Sequence, residues 1–212
     1  MYDEHSEEGR METPAPRDRR LTYDDLLHFP DDGKRHEIID GEHYVTPSPN
    51  LRHQVLLGRL HFEIELFLRQ HSGSGRVFLS PLDVVFTQWD IVEPDLLFVT
   101  EDQAEILTQD NVQGPPALVV EIMSRGTRKR DREIKRRLFN RGGVREYWLV
   151  DPQHDRVTVW RRQPDGDFPR AAELSSEEHD VLTTPLLPEL KIRLIQLFPE
   201  HAFTALPATA SG

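Results

Sequence analysis

Apolar positions along the chain fall into two periods, and the change from one to the other marks out the elements. Leu56, Leu60, Ile64 and Phe67 recur at helical spacing behind Ser48 and Pro49, which suit an N-cap and a first helical residue. They predict an amphipathic helix that stops near Gly73. Before it, Thr22 followed by Asp24, Asp25, Leu26 and Leu27 predicts a short capped helix ending ahead of Pro30. Glu37 to Ile39, the pair Asp40-Gly41 and His43 to Val45 then predict a hairpin, since Asp-Gly suits a two-residue type I′ turn.

After the long helix come strand-like runs: Val77 to Leu79 continuing through Val84 to Phe86, then Leu96 to Val99, then Ala117 to Met123. The last is apolar except at Glu121, the mark of a strand covered on both faces at the centre of a mixed sheet. Thr127 suits the cap of a second helix reaching about Asn140, closed by Gly142-Gly143. Tyr147 to Val150 and Val157 to Trp160 predict two further strands, 161–180 reads as loop, and Leu190 to Phe198 closes the domain as a strand and short helix. The pattern is that of an α/β fold, a central mixed β-sheet flanked by helices with an N-terminal β-hairpin. One domain is expected over residues 21–199, between polar tails at 1–20 and 200–212.

Composition narrows the function. The 212 residues include no cysteine, which removes disulfides, thiolate metal sites and a cysteine nucleophile and fits a reducing compartment. No apolar run approaches the roughly 20 residues of a membrane span, and 1–20 has no signal-peptide core, so a cytoplasmic protein that meets no membrane is expected. A net charge of −11 opposes indiscriminate binding to nucleic acid, yet between Arg125 and Arg145 ten basic residues face only Asp131 and Glu133, a local net of +8. One basic surface is therefore available to a polyanion, an acidic partner or a second copy of the chain; a solvated helix face is the plainer alternative.

Two acids stand where apolar residues would be expected. Asp95 follows Pro94 at the mouth of the Leu96 strand, and Glu121 interrupts the Ala117 strand. A buried carboxylate wants a cation, hydrogen bonds or a metal. Magnesium takes one or two carboxylates plus waters and phosphate oxygens, so a pair on neighbouring strands matches a phosphodiesterase metal site. The alternative is structural: Asp95 caps a loop and Glu121 pairs with an arginine. On the second helix, at about 100° per residue from Asp131, Ile134 falls near −60°, Leu138 near −20°, Lys135 near +40° and Phe139 near +80°. Lys135 thus lies in the apolar arc and is predicted to point over the sheet toward Glu121; an i, i+4 pair with Asp131 is its local alternative.

Glu37-Ile-Ile-Asp-Gly-Glu42, Ser48-Pro-Asn, Glu93-Pro-Asp-Leu96, Val120-Glu-Ile-Met-Ser124, Asp131 to Lys135 and Glu146-Tyr-Trp-Leu-Val-Asp-Pro152 occur in that order. Together they resemble the Uma family of restriction-endonuclease-like proteins, within the PD-(D/E)XK nucleases, over about residues 21–199. The resemblance implies a nuclease core with Glu37, Asp95, Glu121 and Lys135 as the active-site set, Glu37, Asp95 and Glu121 holding Mg²⁺ or Mn²⁺, DNA as substrate and a homodimer. Glu37 enters the set through the resemblance alone. The general motif places its lysine two residues after the second acid, where this chain has Met123; the Uma pattern carries it on the following helix, where Lys135 stands.

The expected function is a metal-dependent endonuclease hydrolysing phosphodiester bonds of DNA, with the Arg128 to Arg137 surface gripping the backbone. The rival is a non-catalytic module that keeps the fold and binds nucleic acid or protein. His53 reads as a buried structural histidine, Asp83 as an edge-strand residue, and Tyr147, Trp148 and Trp160 as core. His43, His53 and His61 lack a zinc spacing.

Overall fold

The computed structural model describes residues 20–46, 48–124 and 130–198, except the side chains of 130–132. The capping of Thr127, most of the basic run from Arg125 to Arg132 and the two tails lie outside the described residues. Thr22 caps α1 (Tyr23–Leu26) in a reciprocal box with Asp25. Strands β1 (Arg35–Ile39) and β2 (Glu42–Thr46) form the hairpin, turning at Asp40 and Gly41, both with positive φ. Helix α2 spans Leu51–Gln70, and its N-cap is Asn50, whose side chain accepts from the His53 amide, rather than Ser48.

The remaining strands are β3 (Gly75–Leu79), β4 (Val84–Thr87), β5 (Asp90–Val92), β6 (Leu96–Thr100), β7 (Val112–Gln113), β8 (Leu118–Ile122), β9 (Glu146–Asp151), β10 (Arg156–Arg161), β11 (Arg170–Ser175), β12 (Val181–Thr184) and β13 (Leu187–Arg193). A π-helical turn, Arg130–Lys135, leads into α3 (Arg136–Gly142), and α4 (Leu194–Leu197) follows β13. Gly143, at φ +94°, ends α3 in the left-handed conformation.

The strands make a six-stranded mixed sheet, β11-β10-β9-β8-β6-β3, whose parallel pair is β8 with β9, a five-stranded sheet, β2-β1-β5-β4-β7, and an antiparallel pair, β12-β13. The run 77–86, expected as one strand, divides at Pro81 into β3 and β4, which belong to different sheets. Residues 170–175, expected as loop, are an edge strand that pairs with β10.

Alternation along β6 shows how the six-stranded sheet is covered. Leu96 and Phe98 join Leu56, Leu60 and Ile64 of α2 in one core. Leu97 and Val99 join Ile39, Val84 and Val92 of the second sheet, with Leu138 and Phe139 of α3, in another. Burial on both faces is why β6 and β8 read as near-continuous apolar runs. Glu121, which breaks one of them, falls on the face of Val119, beneath the second sheet and α3.

Leu60 is fully buried between α2 and the central sheet. Leu60→Ala is expected to lower the unfolding free energy by about 2–5 kcal/mol through lost burial and a residual cavity, measured from urea midpoints at unchanged m-value.

Candidate active site

The antiparallel register of β6 and β8 sets Leu96 against Val120. One step outward, Asp95 meets Glu121 at the open end of the pair. The placement is fastened from β8, because the Ile122 amide donates to Asp95 Oδ2 at 2.7 Å. Both side chains are buried, Asp95 at 1% and Glu121 at 3% exposure.

Lys135 comes down on them from the end of the π-helical turn. Leu138 and Phe139, three and four residues on, bury the same side of α3 and hold Lys135 over the sheet. Its ammonium, on a residue 2% exposed, lies 2.6 Å from Glu121 Oε1 and 2.7 Å from Glu37 Oε1. Glu37 reaches this point from β1, where period two puts Arg35, Glu37 and Ile39 on one side; its Oε1 also accepts from the Glu93 amide at 3.0 Å. Three elements thus deliver a glutamate, a glutamate and a lysine to one buried point.

Asp95 has partners of its own. Arg35 Nη1 donates to Oδ1 at 2.7 Å, and His53 Nε2 lies 3.0 Å from Oδ2. Burial alone would raise the Asp95 carboxyl, but the hydrogen bond and charge of His53, the Arg35 guanidinium and the Ile122 amide hold it at about 2. Glu93 is the opposite case. Burial first, then the charges of Asp83 and Glu37, outweigh Arg35 and Lys135 and push it up to about 7.

Glu37, Asp95, Glu121 and Lys135 are therefore brought together, and the lysine is 2.6 Å from the acid it was predicted to approach. The side chain of Asp131 lies outside the described residues. Tyr147, Trp148 and Trp160 are buried, Trp148 donating to Glu146 Oε1 at 2.6 Å. Asp83 lies beside Tyr23 and Glu93. Arg35, His53 and Glu93 had no place in the expected set. Arg35 was legible, since it shares the strand face of Glu37; His53 was legible as buried, but its partner Asp95, 42 residues away, was not.

Among the described residues no three histidine or acidic side chains form a ready-made metal cage; Lys135 and Arg35 span the carboxylates instead. The three buried carboxylates nevertheless project from adjoining elements toward one region. That donor chemistry fits Mg²⁺ or Mn²⁺, which ask for one or two protein carboxylates and take their other ligands from water and phosphate.

A mixed sheet flanked by helices, with acids at the open ends of neighbouring strands and a lysine over them, defines a restriction-endonuclease-like α/β protein. The chain belongs to the Uma2 family, described as "Putative restriction endonuclease", whose model matches residues 23–195. A crystal structure from Anabaena variabilis ATCC 29413, described as a putative nuclease belonging to DUF820, shares the fold at TM-score 0.70, with 20% identity over 84% of this chain and 97% of that one. No curated protein matches the sequence. Among the described residues no helix is long and apolar enough to cross a membrane.

Lys135→Met would leave two buried carboxylates facing each other without their cation. It is expected to cost about 3–5 kcal/mol of stability in metal-free protein, read by urea unfolding; a loss below about 1 kcal/mol would contradict the pairing. Glu93 gives a pH test. The unfolded chain releases this proton near the ordinary value of 4.5 and the folded chain near 7, so its contribution to stability is complete below about 4.5 and lost as pH rises through about 7. Glu93→Gln is expected to flatten that part of the stability profile of the metal-free protein, followed by urea midpoints across the interval.

Proposed function

We propose that the protein is a divalent-metal-dependent endonuclease that hydrolyses phosphodiester bonds of DNA. The observation that carries this reading is the Lys135 ammonium, buried and bound by two glutamates from two sheets. A fold-keeping binding module has no need of so costly an arrangement, since apolar residues of similar volume would stabilise the interior as well or better. Membership of a family described as restriction endonucleases supports the same direction.

Asp95 and Glu121, with Glu37 directly or through water, would hold Mg²⁺ or Mn²⁺. Bound there, the ion would acidify a water and neutralise charge on the scissile phosphate. The residues supply the rest. The Ile122 amide, Arg35 and His53 fix both oxygens of Asp95, so the carboxylate presents one orientation. Lys135, as a charge donor at the same point, would position the attacking water or stabilise negative charge developing on the phosphate. Of the basic surface expected to grip the backbone, Arg137 is exposed and Arg136 half-buried, and both are available to phosphates.

Purified protein is expected to nick supercoiled plasmid DNA with Mg²⁺ or Mn²⁺ and to stop on chelation. Glu121→Ala should abolish nicking while urea unfolding stays cooperative. Nicking that survives the substitution would place the chemistry elsewhere.

A further inference from the structure

The outer side of α2 is apolar where a helix that meets only water is polar. Four of the seven large apolar side chains exposed among the described residues belong to α2 and α4: Leu51 at 72%, Phe62 at 60% and Leu66 at 41% on the first, and Ile195 at 45% on the second. At about 100° per residue from Gly58, Leu51 falls near +20°, Phe62 near +40°, Val55 near +60° and Leu66 near +80°. Leu56, Leu60 and Ile64, which face the core, fall between about 160° and 240°. The outward residues therefore form one row, of the kind that marks an interaction surface.

Gly58 stands in the middle of this row without a reason internal to the chain. A Cβ added there would meet no atom within 4 Å, and glycine is the poorest helix former apart from proline. Alanine would fit and would hold the helix better. What glycine offers instead is close approach of another body to the helix backbone, since the separation of packed helices is set by the side chains at their contact. Beside it a groove of about 370 Å³ runs between α2 and the end of β13 with α4, lined by Gln54, Val55, Gly58 and Phe62 on one wall and by Ile192 and Leu197 on the other.

We propose that this face docks a second copy of the chain, the two α2 helices crossing antiparallel at Gly58 about a two-fold axis. Such an axis demands a surface complementary to itself. Phe62 of each copy, one turn beyond the axis, meets Gln54 and Val55 of the other, one turn before it, at the mouth of the groove; Leu51 comes opposite Leu66. An aromatic anchor set against a recess is the arrangement that carries most of the energy of an interface. Charge selects the antiparallel sense. Residues 51–62 hold no acid, and Glu63 and Glu65 stand in the second half of the helix. Antiparallel packing sets these acids against the acid-free half of the other copy, whereas parallel packing sets them against each other. Arg59, the charge nearest the axis, is turned aside onto the Gln196 and Leu197 carbonyls. A second copy is one of the partners the basic run could serve; the apolar row places it on α2 instead.

Sedimentation of the full chain from about 1 to 100 μM tests the surface. The expected result is a reversible dimer, weakened at least tenfold by Phe62→Glu and by Gly58→Leu. Both substitutions point into open space, so cooperative urea unfolding should persist in each. A chain monomeric at the top of that range, as when another protein or the chain's own terminus covers the face, overturns the proposal. So does a dimer that either variant leaves intact. Because the chain has no cysteine, a single introduced thiol reports on the crossing point. Gly58→Cys should form a disulfide-linked dimer at least tenfold faster than Gln70→Cys, about 18 Å further along the same helix. Equal rates at the two positions also overturn it.

Discussion

The ammonium of Lys135 between Glu37 and Glu121 is the contact on which the rest of the architecture depends. Each of its three members comes from a different body: the hairpin sheet, the central sheet and the helix laid across them. Taking such groups out of water costs several kcal/mol per ion, recovered only where geometry is close and the remaining hydrogen bonds are made. Distances of 2.6 and 2.7 Å, with the Glu93 amide as a further donor, meet that condition. Because the cost is recovered only when all three bodies are seated, the ion pair reports on their relative placement. It makes the second sheet part of the site rather than a decoration beside it.

Asp95 solves the same problem by other means. It is bound by a backbone amide of β8, a guanidinium from β1 and an imidazole from α2, so both oxygens are committed before any ligand arrives. Carboxylates held in this way are preorganised, since nothing in their orientation must be found when a cation or phosphate approaches. The arrangement also divides the labour. Lys135 faces the glutamates from the α3 side, while Arg35 and His53 support the aspartate from β1 and α2.

Much of this was legible in the sequence, for reasons that differ from residue to residue. The α2 helix and the β1–β2 turn were readable because period 3.6 and Asp-Gly are local signals. Glu121 stood out because an acid in an apolar strand contradicts its surroundings. Lys135 was legible as an angle on a helix, even though its first turn is π-helical rather than α-helical, because Leu138 and Phe139 fix the buried side. The edge strand β11 was not, since Arg170 to Ser175 pairs with one neighbour only and needs little apolar character. Nor was the division of 77–86 between two sheets, which is decided by partners distant in sequence. The contact of His53 with Asp95 was hidden for the same reason: periodicity tells which side of a helix is buried and never what it is buried against.

Charge sets how the chain can meet a polyanion. The chain carries −11 overall, and several of its cations are already paired with carboxylates of the same chain. Arg141 binds Asp40 and Asp90, Arg145 binds Asp102, and Arg35 and Lys135 face the buried carboxylates. A long-range field of that sign does not gather polyanions from a distance, and ordinary salt would screen it within about 8 Å in any case. Affinity for any polyanion would therefore have to come from groups that meet it at contact, where desolvation strengthens each interaction.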